Sequence, residues 1–222
     1  MKLYIDSADL NELKKLQKTS FISGITTNPT LIAKGLGKNK VTSEEYLSHL
    51  EKIRETISGE MFVQLMANNK NDMLNEANAI KDAIRGPLVF KIPANNDGFN
   101  TIAQLSKDGI SVSATAVYTA FQAYLAIASG AKYVIPYFSR IDQHDKQGIE
   151  AIREIMSISG QDKLLVASVK SETTLYYLLM EGVKNFTLSY SLLTQISECD
   201  LTQESINEFA KNLQITWSKK KK

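Results

Sequence analysis

Leu88-Val89-Phe90-Lys91-Ile92-Pro93 is a short apolar run bounded by Gly86-Pro87 at one end and a proline at the other, with a single lysine set into it. Such a run reads as a buried strand. Just upstream, Ile80, Ala83 and Ile84 recur at helical spacing, as do Ile149, Ile152, Ile155 and Met156 further on. Working outward, comparable apolar or β-branched runs occupy residues 2–6, 24–28, 61–66, 110–117, 133–138, 163–169 and 185–189. Ser7-Ala8-Asp9-Leu10 and Ser43-Glu44-Glu45 carry helix-start signals, while Gly130 and Gly182 mark helix ends. Strand and helix therefore alternate throughout, and eight βα units in 222 residues predict an α/β fold of the (β/α)8 TIM barrel type. A doubly wound open sheet would have fewer strands and often a glycine-rich loop after the first, where this chain has Asp6-Ser7-Ala8-Asp9. Gly35-Leu36-Gly37-Lys38-Asn39 lacks P-loop spacing and its Ser/Thr, and reads as a flexible loop. One barrel domain over residues 1–217 and a basic tail over 218–222 are expected.

With 43% hydrophobic and 23% charged residues, the composition excludes disordered, collagen-like and disulfide-stapled chains. The lone Cys199 excludes an internal disulfide and a multi-cysteine metal site, and argues against redox chemistry. No apolar run approaches the roughly 18 residues of a membrane span, and an aspartate interrupts the N-terminal stretch where a secretory signal would be apolar. A cytoplasmic protein without a membrane partner is expected, in which the Asn185-Phe186-Thr187 sequon has no meaning. Four lysines form the terminal run 219–222, and without them the net charge falls from +2 to −2. A body of that charge, with no basic stripe interleaved with aromatics, argues against nucleic acid as a partner.

Barrels of this type carry their sites at the C-terminal ends of the strands. In 88–93, alternation puts Lys91 on one face with Val89 and Pro93, and Leu88, Phe90 and Ile92 on the other. The bulky face suits packing under helices, which turns Lys91 to the interior, where an ammonium is expensive unless paired or carrying a lowered pKa. A lysine reaching solvent from a strand end is the plainer alternative. A lysine brought from about 10.4 towards about 7–8 can form a Schiff base with a carbonyl substrate, which makes Lys91 the candidate nucleophile. Asp6, Asn28, Gln64, Thr115, Tyr137 with Arg140, and Ser168 with Lys170 stand at the other strand ends.

Other chemistries lack their inventory. Metal-dependent aldolases and isomerases want several imidazoles, and only His49 and His144 exist, in an expected helix and an expected loop that suggest surface positions. No G-x-S-x-G elbow is present for a Ser-His-Asp hydrolase. Asp142 reads as a structural partner of its neighbours.

The stretches Leu3-Tyr4-Ile5-Asp6, Gly24-Ile25-Thr26-Thr27-Asn28-Pro29, Val89-Phe90-Lys91-Ile92-Pro93, Ala114-Thr115-Ala116-Val117-Tyr118, Pro136-Tyr137-Phe138-Ser139-Arg140-Ile141-Asp142 and Ala167-Ser168-Val169-Lys170 carry a wider pattern. In these the chain resembles the small transaldolase-like family of class I aldolases, most closely its fructose-6-phosphate aldolase branch, from Leu3 to about Trp217. The resemblance implies a Schiff-base lysine at Lys91, an acid/base aspartate at Asp6, and an asparagine, Asn28, near the lysine. It also implies a phosphate-binding cation pair at Arg140 and Lys170 with Ser168 beside them. Gln64 and Tyr137 match the aldolase branch where transaldolases carry glutamate and phenylalanine, and with Thr115 they would hold a water. Ser113-Ala114 and Ser139 depart from the aldolase pattern. A homo-oligomer, pentamer or decamer, with a C-terminal helix packed on its neighbour is implied as well. No metal and no organic cofactor are expected, since the imine performs the role of a Lewis acid. The expected activity is reversible cleavage of fructose 6-phosphate to dihydroxyacetone and glyceraldehyde 3-phosphate. The alternative is transaldolase transfer of the dihydroxyacetone unit between sugar phosphates, and more remotely a barrel that binds sugar phosphates without turnover.

Overall fold

The computed structural model describes residues 1–145 and 147–215, and the expected tail lies outside them. The elements run β1 (Lys2–Asp6), α1 (Leu10–Leu16), β2 (Gly24–Thr26), α2 (Pro29–Leu36), α3 (Ser43–Thr56), β3 (Glu60–Gln64), α4 (Lys70–Ala83), β4 (Leu88–Pro93) and α5 (Asn96–Lys107). They continue with β5 (Val112–Val117), α6 (Ala120–Ala128), β6 (Tyr133–Pro136), α7 (Phe138–Asp145), α8 (Gly148–Ser159), α9 (Glu172–Met180), β7 (Asn185–Leu188), α10 (Tyr190–Ser197) and α11 (Asp200–Asn212). Local chemistry sets many boundaries. Asp9 accepts from Asn11 N at the start of α1, and reciprocal capping boxes, Thr42 with Glu45 and Thr119 with Gln122, open α3 and α6.

Three expectations, for Gly35-Leu36, His49 and His144, do not hold. Gly35 and Leu36 belong to α2 rather than to a flexible loop, because Asn28 caps the helix and Pro29 starts it, while Gly37 in the left-handed region closes it. Gly35 serves a close approach: a Cβ there would stand 2.3 Å from the Ala8 carbonyl oxygen. Similarly, His49 is no surface residue. It shares the packed side of α3 with Tyr46, Leu50 and Ile53, and its Nε2 lies 2.9 Å from that same Ala8 oxygen. His144 is helical, in α7, rather than in a loop.

Among the described residues the sheet has seven strands, all parallel, in the order β6-β5-β4-β3-β2-β1-β7, and it curls. The expected strand at 163–169 does not form a regular eighth member. Residues 164–167 instead make isolated parallel bridges on both sides, to Val134 of β6 (Leu164), to Tyr137 just after β6 (Ala167) and to Phe186 of β7 (Val166). The extended stretch is short because turns precede Leu164 and Ser168 enters the left-handed region at φ 62°. Its contacts therefore alternate between two neighbours.

The larger apolar cluster, including Phe90 and Ile92, fills the space between sheet and helices. The smaller one, Tyr4, Phe62, Val89, Tyr133, Ile135, Leu165 and Ala167, lies on the concave face, so alternation along β4 runs as expected. Among the described residues no helix is long and apolar enough to cross a membrane.

At the N-terminal ends of the strands, Glu60 closes the floor. It accepts from Tyr4 Oη (2.5 Å), Tyr133 Oη (2.8 Å) and Lys132 Nζ (2.7 Å), and Lys2 Nζ stands at 3.3 Å. Burial opposes its ionisation, but the bonds from Lys132, Tyr4 and Tyr133 prevail and hold its pKa at about 2. A depressed folded-state pKa means that the contribution is complete above the unfolded value of 4.5 and is lost as pH falls through about 2. Glu60→Gln should therefore lower stability at pH 7 by about 2 kcal/mol after discounting for partial exposure, or roughly 5 °C in Tm. Thermal melts by circular dichroism should show the gap between variant and wild type narrowing at pH 3; a constant gap would remove Glu60 from the acid response.

Candidate active site

The opposite ends of the strands open on a cavity of about 430 Å³. Asp6, Asn28, Gln64, Lys91, Tyr137, Arg140, Ser168 and Lys170 all line it. Thr115 is the one residue of the expected set outside the lining, and it joins through a 3.0 Å hydroxyl contact with Tyr137.

Lys91, third from the end of β4, is only 2% exposed, and its Nζ donates to the Thr27 carbonyl at 2.8 Å. Burial lowers its pKa and the nearby charge of Asp6 opposes the shift. The side chain is thus an amine whose protonated form is penalised, with one backbone acceptor fixing its direction. Asp6 ends β1 in register with Thr26 of β2, whose hydroxyl donates to Asp6 Oδ1 at 2.7 Å.

Asn28 has a structural task too: its Oδ1 accepts from Leu31 N at 3.0 Å as the cap of α2, which leaves its amide NH2 as the remaining polar group. The Oε1 of Gln64, at the end of β3, is buried without a hydrogen-bond partner among the described residues, an acceptor suited to a donor inside the cavity. Burial pushes the Tyr137 phenol up, against the Thr115 bond, so it stays protonated and able to donate.

Arg140 and Lys170 are exposed at the mouth. The Arg140 guanidinium sits 5.2 Å from the Tyr137 ring centroid and donates to Tyr118 Oη at 3.3 Å. Two cations at a cavity rim suit an anionic group such as a phosphate. Beside them Ser139 and Ser168 hold their hydroxyls 2.7 Å apart. Ala116 and Ser168, non-glycine residues at φ 54° and 62°, both line the cavity, and the pairing of β5 with β6 shifts register around Ala116. An amine, a carboxylate, neutral donors and a cationic rim together can add to a carbonyl, move a proton and hold an anion.

Thr26, Thr187, Tyr118 and the Thr27 carbonyl escaped the reading of the sequence. Thr26 and Tyr118 fall inside the quoted motifs, yet nothing in one strand tells which residue of the next it will touch. Asp142, expected to be structural, accepts from Gly148 N at 3.3 Å.

Residues 3–222 match the family model described as transaldolase/fructose-6-phosphate aldolase. Proteins named probable transaldolase are similar over essentially their whole length: 33% identical in Thermodesulfovibrio yellowstonii, with all of both chains covered, and 34% in Brachyspira hyodysenteriae, with 99% of this chain and 100% of that one. A protein of the same name from Thermus thermophilus is 32% identical, with full coverage of both chains. In fold, the chain is similar to a putative phosphonomutase from Burkholderia cenocepacia J2315, with a TM-score of 0.65, 14% identity, and 95% and 92% of the two chains covered.

Proposed function

The chain belongs to the transaldolase/fructose-6-phosphate aldolase family, and from that premise we propose that it carries a dihydroxyacetone unit on a Schiff base at Lys91. The observation that carries this reading is the buried Lys91 amine on the wall of the cavity it shares with Asp6. One barrel domain over residues 1–217 is proposed with it, residues 164–167 serving as its eighth stave, since they bridge both edge strands.

Neutral Lys91 attacks the C2 ketone of a ketose phosphate, and loss of water gives an iminium that accepts electrons. Asp6, directly or through water, takes the C4 hydroxyl proton as the C3–C4 bond breaks and its electron pair moves into the iminium. An aldose phosphate leaves, its phosphate held by Arg140 and Lys170 with Ser168, and a three-carbon enamine stays on Lys91. Asn28 orients the substrate through its amide donor. The Thr27 carbonyl, which holds the free amine, is available to steady the intermediates.

The fate of the enamine defines the activity. The names of the relatives favour capture by a second aldose phosphate, which is transaldolase chemistry. Fructose-6-phosphate aldolase activity, release of free dihydroxyacetone after protonation, is the second reading. It is favoured by the Thr115–Tyr137 hydroxyl pair and the unpaired Gln64 oxygen, which suit a water beside the enamine. The exposed Leu201, Ile206 and Phe209 of α11 support assembly with further copies of the chain.

Fructose 6-phosphate supplied with erythrose 4-phosphate should yield sedoheptulose 7-phosphate, and without it a slower release of dihydroxyacetone. Gln64→Glu combined with Tyr137→Phe should cut that release relative to transfer by about tenfold, since a buried hydrogen bond contributes about 1–3 kcal/mol and each ~1.4 kcal/mol shifts a partition tenfold. No sedoheptulose 7-phosphate would overturn the transfer reading, and no dihydroxyacetone without acceptor would overturn the aldolase one.

A further inference from the structure

Behind Asp6 the hydroxyl of Thr26 makes a second contact, 2.6 Å to the hydroxyl of Thr187 on β7. Strands β2 and β7 flank β1, so the two threonines meet across its concave face, and both are buried, at 0% and 3% exposure. A hydroxyl owns one proton. Thr26 gives its proton to the Asp6 carboxylate, so Thr187 must be the donor to Thr26, and the chain runs from Thr187 through Thr26 to Asp6. Among the described residues the Thr187 hydroxyl has no other hydrogen-bond partner. A buried hydroxyl is costly unless bonded, and valine has the same shape without that cost. Packing alone does not explain a threonine here.

We propose that Thr187 is a positioning residue for the carbon–carbon cleavage step, fixing the hydroxyl rotor of Thr26 and, through it, the orientation of the Asp6 carboxylate. The inference rests on the Schiff-base reading above. Without the Thr187 proton, the Thr26 hydroxyl loses the partner on its far side and can turn away from Asp6. Imine formation, which belongs to Lys91, is untouched; removal of the C4 hydroxyl proton is slowed. The unreacted six-carbon imine then accumulates ahead of the three-carbon enamine.

The test is borohydride reduction of the enzyme turning over fructose 6-phosphate, with mass spectrometry of the six-carbon and three-carbon adducts on Lys91, alongside steady-state kinetics. With erythrose 4-phosphate present to clear the enamine, Thr187→Val should lower kcat about three- to tenfold, the effect of losing one hydrogen bond in the transition state. The six-carbon share should rise by a similar factor. Thr187→Ser should restore both, and Thr187→Ala, which adds no bulk to the barrel, should behave as the valine variant does. In a Thr26→Val background, Thr187→Val should have no further effect on the ratio. An unchanged adduct ratio in folded Thr187→Val or Thr187→Ala overturns the inference alone. A wild type that gives no adduct on Lys91 overturns the Schiff-base reading and this inference with it.

Discussion

Lys91→Arg should yield neither product nor borohydride adduct, a loss on the order of 10⁴-fold or more. Arginine is also a long basic side chain but remains protonated at any workable pH, so it has no lone pair to offer the ketone. Lysine differs because its ammonium is the form that burial penalises, and at 2% exposure that penalty dominates over the opposing charge of Asp6. The wild type should gain one reduced substrate-derived unit per chain, located on Lys91 by peptide mapping. Since a guanidinium at a buried position can disturb folding, Lys91→Met, which is neutral and similar in shape, should be equally inactive with a normal circular dichroism spectrum. A unit trapped on any other lysine, or product formed by either variant, would remove the nucleophile from β4.

How far these residues could be read in advance follows from which information is local. Inside one strand, the alternation of Val89 and Lys91 against Phe90 and Ile92 is a property of six consecutive residues, and the two apolar clusters divide along it. Strand ends are equally local, which is why the cavity gathers Asp6, Gln64 and Lys91 from β1, β3 and β4. Register is not local. That Asp6 pairs with Thr26, and that Thr187 reaches Thr26 across β1, depends on how three strands far apart in the chain align. The stretch at 163–169 shows another limit: its apolar run is strand-like, but the left-handed Ser168 and the division of its contacts between two neighbours prevent a continuous ladder. Gly35 misled for a third reason. A glycine needed for close approach to another segment looks, in sequence, like one needed for flexibility.

Asp6→Asn should separate the two roles that the carboxylate plays at once. Asparagine has the same outline and its Oδ1 can still accept from Thr26, so the scaffold behind position 6 is kept. It cannot take a proton, and loss of a positioned general base slows a reaction by about 10²–10⁴-fold. The loss should fall on kcat, and the adduct trapped by borohydride should change from three carbons to six, because the imine forms and the C3–C4 bond then waits. The second role is electrostatic and has the opposite sign. The Asp6 charge raises the pKa of Lys91 against the lowering by burial, so removing that charge lowers it further. More of the lysine is then neutral at a given pH, and the pH at which six-carbon imine forms at half its maximal rate should move down. Single-turnover trapping between pH 6 and 9 measures both effects in one series. A variant that still yields mainly the three-carbon adduct would show that another group removes the C4 hydroxyl proton. An imine-forming profile that stays in place or moves up would show that the charge of Asp6 does not act on Lys91.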